Sequence, residues 1–442
     1  MKSGAKSFVA AGLTAVLLLL SPGVPAQAEL LGHGGFVKGV AATPDGRHAL
    51  TGSFDYTLIF WDLAEQRALE VLDAHQASVN AVALLPDGRA LSASDDGTLR
   101  VWDPPAGREI GVLQGHDGKV QGLAVSPDGT RAASAGWDRS VRLWDLQALE
   151  PLDVFQGHQN TVNAVSFSPS GEHLLSAGFD ATLRMWRVSD GTQLGEVSGG
   201  AVGFTSAVWL PDGRRVVTTQ VDGSVRLWDL EQGVELAQLG EHPGASAFAL
   251  AVSPDGRLAA SGGTDRVVRL WDLETQASAA ILDGHLAPVW SLAFFDGGKK
   301  LISGGADEVA RVWDLEQGAE IGVSVAAAAR PLTDLAATDP ALARGAEVFR
   351  KCSVCHTVQP DNSRRAGPTL HGVFGRPAGA VAGYNYSPAL TDTDIVWNAE
   401  TISQLFDEGP DVMTPGTKMP IQRIPDAEDR AALMRYLEAV TR

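Results

Sequence analysis

Sulfur and positive charge are both in short supply. Among 442 residues there are two cysteines, Cys352 and Cys355, both within "KCSVCHTV" at 351–358. Neither is near the N-terminus, which excludes a lipid-anchored start there, and none is left over for a vicinal disulfide. Lys+Arg number 35 against 53 Asp+Glu, a formal net charge of −18. From Pro340 onward there are 11 basic and 12 acidic residues, and residues 1–28 hold two lysines and no acid, so the excess of acid sits in 29–339. Such a surface repels phosphate, argues against nucleic acid as a partner, and would attract basic proteins. Long apolar runs are scarce too. Phe8–Leu20 stands alone, and it is shorter than the about 20 residues that cross a bilayer.

That run has another reading. Lys2 and Lys6 precede it, Ser21-Pro22-Gly23 breaks it, and Ala26-Gln27-Ala28 has the small-x-small form of a cleavage site. Residues 1–28 therefore read as a signal peptide, with Glu29 as the mature N-terminus and a periplasmic or equivalent exported location. No membrane span is expected after its removal. Hydrophobic content of 44% and charged content of 20% belong to a globular chain, and Gly 49 implies many tight turns.

A fixed period fills the next three hundred residues. Tryptophan recurs at Trp61, Trp102, Trp144, Trp186, Trp228, Trp271 and Trp313, each followed by aspartate except at Arg187. Six residues earlier stand Asp55, Asp96, Asp138, Asp180, Asp222, Asp265 and Asp307. Four before those come Thr51, Ser92, Ser134, Ser176, Thr218, Ser261 and Ser303. Histidine opens six of the seven units: His33, His75, His116, His158, His242 and His285. Short alternating runs such as "VQGLAVSPDG" lie between the marks, divided by Pro-Asp-Gly turns, which is strand grammar and not helix. Asp, His and Ser together suggest a hydrolytic triad, but a triad occurs once per site and this set recurs in nearly every unit.

Residues 32 to about 325 resemble the WD-repeat family. The resemblance implies a β-propeller of four-stranded antiparallel blades, seven by this count, in which His, Asp, Ser/Thr and Trp hydrogen-bond to one another within each blade. Unit five has Gly199-Gly200 where Gly-His belongs, so it should be looser. For closure of the ring, "AEIGVSV" (319–325) is the expected fourth strand of blade seven; the N-terminal "ELLGH" could compete for the same edge, but only three mature residues precede Gly32. In the family, the face carrying the turn before each conserved aspartate is a common docking surface. Phe54, Asp95, Trp137, Phe179, Val221, Thr264 and Ala306 occupy that position here. Aligning the inner strands gives a second ring of Lys38, Asn80, Gln121, Asn163, Thr205, Phe248 and Trp290. A partner site centred on Trp290 and Phe54, with Phe248 beside them, is expected on this face; the alternative is that the rings fold inward and plug the channel.

"AAAARPLTDLAATDP" (326–340) reads as a linker, and the grammar turns helical from Ala341. Cys352-x-x-Cys355-His356 then admits three readings. A thioredoxin-like pair needs a βαβ context that is absent, and a zinc site needs four ligands where no further Cys or His pair lies at finger spacing. Haem attachment needs two thiols for thioether bonds and the next residue as an axial nitrogen ligand, which fits an exported chain. Around the motif, "GAEVFRKCSVCH", "AGPTLHGVFGR", "AGYNYSPA", Trp397, "PGTKMP" and "DRAALMRYLEAV" resemble the class I cytochromes c. The resemblance implies one covalent haem c bonded by Cys352 and Cys355, with His356 and Met419 as iron ligands. It also implies that the Pro368 carbonyl orients His356 and that Arg376, Tyr386 and Trp397 lie at the propionates. Met413 is a lesser candidate for the sulfur ligand, and His371 is expected at the surface. Leu433 and Tyr436 should face Gly345 and Phe349, with the glycine letting two helices approach.

The expected architecture is multidomain: a signal peptide (1–28), an all-β seven-bladed WD-repeat propeller (29–325), a linker (326–340) and an all-α class I cytochrome c domain (341–442). Two axial ligands leave no open iron position, so the expected function is one-electron outer-sphere transfer between redox partner proteins and not catalysis, with the propeller as docking scaffold. A propeller-borne substrate site feeding the haem, or a redox-sensing scaffold, are the alternatives.

Overall fold

A computed structural model describes residues 29–315, 319–320, 340–349, 352, 356, 358, 368–381, 384, 386–417, 419 and 423–441. The signal peptide, the linker before Pro340 and Cys355 lie outside the described residues.

Residues 37–283 form six four-stranded antiparallel sheets, each built of four consecutive strands. Blade four is typical: Val162–Phe167 lines the channel, followed outward by His173–Gly178, Thr182–Arg187 and Gln193–Ser198. Composition explains the order. Second strands such as "RAASAG" are small-residue and almost wholly buried, since neighbouring blades press on both their faces, whereas outer strands such as "EPLDVFQ" are mostly exposed. The cores lie between blades: Leu99, Val101 and Leu113 of blade two meet Ala132, Trp144 and Leu146 of blade three. Blade seven meets blade one through Ile302 and Val312 against Val37, Ile59 and Trp61, so the ring is closed.

Each blade is tied by a chain of hydrogen bonds. In blade four Trp186 Nε1–H donates to Ser176 Oγ (2.9 Å), and Ser176 Oγ lies 2.7 Å from His158 Nε2. His158 Nδ1 lies 3.0 Å from Asp180 Oδ2, which also accepts from the Gln159 backbone N–H at 2.7 Å. One protonation pattern satisfies every member: a neutral imidazole donating from Nδ1 and accepting the serine proton at Nε2. Burial favours that state by holding His158, like His75 and His242, below the ordinary histidine pKa. The same chain recurs in the other five blades that have the histidine.

Blade five lacks the histidine and fills its place. The Phe204 ring stands where the other blades have Val or Ala, buried and edge-on to Trp228 at 6.1 Å. A Cβ on Gly199 would fall 2.2 Å from Phe204 Cζ, so glycine is required beside the larger ring. Gln220, where the other blades have Ser or Gly, donates to the carbonyls of Gly199 (3.3 Å) and Val202 (3.0 Å) and accepts from Ser224 Oγ (3.0 Å). The looser blade expected from the missing histidine is instead repacked.

Closure also departs from expectation. The edge strand Ala310–Asp314 is covered by both chain segments at once: Glu29 and Leu30 pair with Arg311 and Ala310, and Ala319 and Glu320 pair with Asp314 and Trp313. Two residues suffice at the N-terminal end because each has a strong reason to be there. Leu30 is wholly buried between blades seven and one, a burial that contributes about 1.5–3 kcal/mol. Glu29 meets the buried Arg311 guanidinium at 2.6 Å, which also pairs with Asp307. Residues 321–325 lie outside the described residues.

The C-terminal unit is helical: α1 (Pro340–Phe349), α2 (Pro388–Thr391), α3 (Ala399–Glu408), α4 (Pro410–Met413) and α5 (Ala427–Val440). Asn398 caps α3 with a reciprocal Thr401 contact, and Asp426 caps α5. α1 crosses α5 at Gly345, where a Cβ would lie 2.2 Å from the Ala432 carbonyl oxygen. Phe349 and Tyr436 meet there at 5.5 Å, as the sequence implies. Among the described residues no helix is long and apolar enough to cross a membrane.

Candidate functional site

Cys352 is buried in the apolar cluster of the helical unit, with Phe349, Val358, Val373, Ile402, Phe406 and Leu433; Met419 and Trp397 pack against the same cluster half-buried. The His356 backbone N–H donates to the Cys352 carbonyl at 2.9 Å, setting the histidine one helical turn beyond the cysteine. Its Nδ1 lies 2.8 Å from the Pro368 carbonyl oxygen. A carbonyl can only accept, so Nδ1 carries the proton and Nε2 keeps its lone pair for a metal. Met419 thus brings a soft sulfur, and His356 a nitrogen, to one apolar region.

The polar edge of this region is built by the loop after Pro368. Arg376 donates from Nη1 to the His371 carbonyl (2.9 Å) and from Nη2 to the Thr369 carbonyl (2.6 Å). Trp397 brackets the same turn: its N–H donates to the Arg376 carbonyl at 2.9 Å, and its own carbonyl accepts from Gly375 N–H at 2.7 Å. Burial lowers the Arg376 pKa and raises that of Tyr386, whose ring stands edge-on to Tyr384 at 4.7 Å. Among the described residues no carboxylate pairs with Arg376. A half-buried cation with only carbonyl partners is suited to an anionic substituent. His356, Cys352, Met419 and Arg376 therefore fit an apolar macrocycle with acidic side arms. His371 is half-buried, not fully at the surface. Met413, the lesser sulfur candidate, lies in α4.

On the propeller, the two expected rings fare differently. Phe54, Trp137 and Phe179 are exposed, Trp137 by 53%. The second ring is turned inward as a girdle of the channel, not outward with the first. Each of its members is the extra residue of a β-bulge at the start of an inner strand, so its side chain is turned across the channel and not along the sheet. Asn80 and Thr205 are buried, and the ring ties blade to blade: Asn80 Nδ2 donates to Val120 O (2.8 Å), Asn163 Nδ2 to Phe204 O (2.7 Å) and Thr205 Oγ1 to Ala247 O (2.6 Å). Phe248 and Trp290 are half-buried and packed together at 4.7 Å, with the Trp290 indole nitrogen out of reach of solvent. They follow the inward alternative. Phe54 pairs with Phe36 at 5.3 Å instead of joining them.

Two contributors to this face escaped the sequence reading, Phe36 and Lys119. Both stand immediately before an inner strand, in a column that otherwise holds Ser78, Thr161, Gly203, Ser246 and Pro288. Reading that column down the repeats would have exposed them.

Fold and site together define a β-propeller protein with a helical haem-binding unit. A family model described as the IFT122 first beta-propeller matches residues 78–327, over half of the chain, and one described as WD domain, G-beta repeat matches 25–62. The cytochrome c model matches 342–441. That part is similar to a cytochrome c of Gibberella zeae, 40% identical over 100 residues, which are 22% of this chain and 93% of the relative. A cytochrome c of Arabidopsis thaliana is 38% identical over 100 residues (22% and 88%), and cytochrome c type-1 of Ascaris suum 40% over 95 (21% and 83%). The chain belongs to the WD-repeat β-propeller family and carries a C-terminal cytochrome c domain, and with that domain come covalently bound haem c and electron transfer.

Proposed function

We propose that the protein is an exported one-electron carrier whose haem iron is held by His356 Nε2 and Met419 Sδ, and whose propeller docks it on a redox partner. The observation that carries the ligand assignment is the 2.8 Å contact between His356 Nδ1 and the Pro368 carbonyl. It fixes the tautomer and the ring plane, and it raises the basicity of the opposite nitrogen. Bound haem c would supply a reversible one-electron couple of its iron. Cys352 and Cys355 would anchor it through thioether bonds, and the Met419 thioether would favour the reduced iron and raise the potential. The apolar cluster around Phe349, Val373 and Phe406 would exclude water. Arg376, Tyr386 and Trp397 would receive the propionates, as the uncompensated Arg376 charge suggests. Held by His356 and Met419, the haem would supply outer-sphere one-electron transfer, with no protein residue acting on a substrate.

Export to the periplasm rests on the form of residues 1–28, and division into a propeller at 29–325, a linker and a cytochrome domain from 341 rests on where the repeat ends. The docking surface is read as the exposed rim of Phe54, Trp137 and Phe179, set in an acidic propeller that would draw a basic partner.

Replacing the sulfur ligand tests the assignment. Met419→Ala should abolish the Met–iron charge-transfer absorption at the red end of the oxidised spectrum while the haem stays covalently bound. Persistence of that band would remove Met419 from the iron and leave Met413 to be examined the same way.

A further inference from the structure

One side chain of the channel girdle is set apart by its charge. Lys38, the bulged residue of blade one, extends across the mouth to donate to Asn80 Oδ1 of blade two (2.9 Å) and Gln121 Oε1 of blade three (3.1 Å). Its Nζ lies 5.5 Å from the centre of the Phe54 ring. Beside it, Lys119 Nζ donates to Asp95 Oδ2 at 2.7 Å and lies 5.0 Å from the Trp137 ring centre. The other oxygen of Asp95 already accepts from Asn80 Nδ2 (2.6 Å) and Gln121 Nε2 (3.3 Å). The network thus holds two ammonium groups and one carboxylate, and the carboxylate is spent on Lys119 and the two amides. Lys38 is left with neutral amide oxygens.

An ammonium has three N–H groups and two of these are used, so the charged form has one donor to spare; the neutral amine has two, both satisfied. Burial pulls the Lys38 pKa down to about 8, with Asp95 drawing it up and Lys119 pressing it down. At neutral pH the network therefore carries one positive charge more than Asp95 neutralises. Around it stand the exposed rings of Phe36, Phe54 and Trp137.

We propose that the mouth of the channel over blades one to three is a seat for a carboxylate carried on an apolar frame: a Glu or Asp side chain, flanked by apolar residues, in an extended segment of a partner protein. The carboxylate accepts from Lys38, and the flanking side chains lie on Phe36, Phe54 and Trp137. One negative charge suits the site better than the two of a phosphate monoester, because the chain around it carries a net −18. The spread of the aromatic rim from blade one to blade three exceeds what a small acid would cover. This inference rests on the docking reading above and sharpens it. The acidic field attracts a basic partner at long range, while the contact itself takes one of that partner's acidic side chains.

The test uses the full-length, haem-loaded protein and the peptides acetyl-Leu-Glu-Leu-amide and acetyl-Leu-Gln-Leu-amide, titrated by calorimetry at pH 6.5 and pH 9. The Glu peptide should bind at pH 6.5, about tenfold more weakly at pH 9 as Lys38 loses its proton, and the Gln peptide at least tenfold more weakly than the Glu peptide at pH 6.5. Lys38→Met should abolish the difference between the peptides. Lys38→Arg, which keeps its charge, should bind the Glu peptide alike at both pH values. Equal binding of the two peptides, or a pH dependence that survives in Lys38→Arg, overturns the seat. Absence of Glu-peptide binding by the unaltered protein overturns it as well. The docking reading is judged separately, by whether Trp137→Ala weakens capture of the redox partner. Rim docking without peptide binding sinks the seat alone, and peptide binding without rim docking sinks the wider surface alone.

Discussion

Deleting one hydroxyl should cost different amounts in two blades, for a reason visible in the geometry. Ser176 Oγ in blade four joins two buried groups, the Trp186 indole N–H at 2.9 Å and His158 Nε2 at 2.7 Å. Ser176→Ala leaves both without a partner. An orphaned buried polar group costs about 1–3 kcal/mol, so two give roughly 2–6 kcal/mol. In blade five Thr218 Oγ1 accepts only from Trp228 Nε1, at 2.8 Å, because Phe204 and not a histidine fills the adjoining space. Thr218→Val keeps the shape and orphans one group, at about 1–3 kcal/mol. For a domain of this size each kcal/mol lowers the Tm by roughly 2 °C, so losses of about 4–12 °C and 2–6 °C are expected. The assay follows the β-sheet circular dichroism band on heating, with the Soret band as an internal control on the haem domain. A Thr218→Val loss equal to or larger than that of Ser176→Ala would refute the claim that the histidine chain, and not the threonine–tryptophan bond alone, makes the hydroxyl valuable.

Other perturbations follow from the same geometry. Gly345→Ala drives a methyl into the Ala432 carbonyl and should destabilise the cytochrome unit by about 2–3 kcal/mol, seen as a lower Soret melting temperature with the β-sheet transition unchanged. Acid should weaken the propeller in two stages. His75, His158 and His242 have lowered pKa values, so the unfolded chain takes up protons first and stability falls as pH drops below about 6.5. For Asp96 and Asp138, burial works to raise the pKa, but the hydrogen bonds from His75 and His116 outweigh it. The hydrogen bonds, which include those from Thr98 and Ser140, hold the carboxyls well below the usual range, and their contribution is lost below about pH 3.9. A Tm that rises between pH 7 and pH 5 would reverse the sign of the first stage. Trp137→Ala should weaken partner capture by about 2 kcal/mol with both melting transitions unmoved.

What could be read from the sequence tracks how many residues each feature uses. The blades were legible because one hydrogen-bond chain needs Trp, Ser or Thr, His and Asp at fixed offsets, and six histidines repeat it. The haem motif was legible because two thioether bonds and an axial ligand demand Cys352, Cys355 and His356 in that order. Of ring closure the C-terminal strand was legible, since Ala319-Glu320 pairs as expected, but the pairing of Glu29-Leu30 was not, because two residues show no periodicity to detect. The clue at the N-terminal end is a charge. Arg311 is buried, and among the described residues it meets Asp307 of its own repeat and Glu29 from outside it.

The inner ring shows a different failure. Alignment placed Lys38 through Trp290 in one column correctly, yet a column gives the position along a strand and not the direction of the side chain. Strict alternation would send each residue to one face of its blade. The bulge between Val37 and Gly39, repeated in every blade, breaks that alternation and turns the side chain into the channel. The bulge leaves the carbonyls of Val120, Phe204 and Ala247 to be satisfied by Asn80, Asn163 and Thr205 of the preceding blades. Three columns further along, at Ala41, Ala83, Ala124, Ser166, Val208, Ala251 and Ala293, the residues are mostly small. The ring is therefore polar for a structural reason in blades two, four and five, where side chains bond to backbone. Blade one has no such duty to explain its choice of lysine. A glutamine or asparagine at position 38 would keep a polar girdle without the cost of burying a charge. That Lys38 is charged and drawn over Phe54, and among the described residues donates to amide oxygens while Asp95 bonds Lys119, is what separates a binding group from a brace.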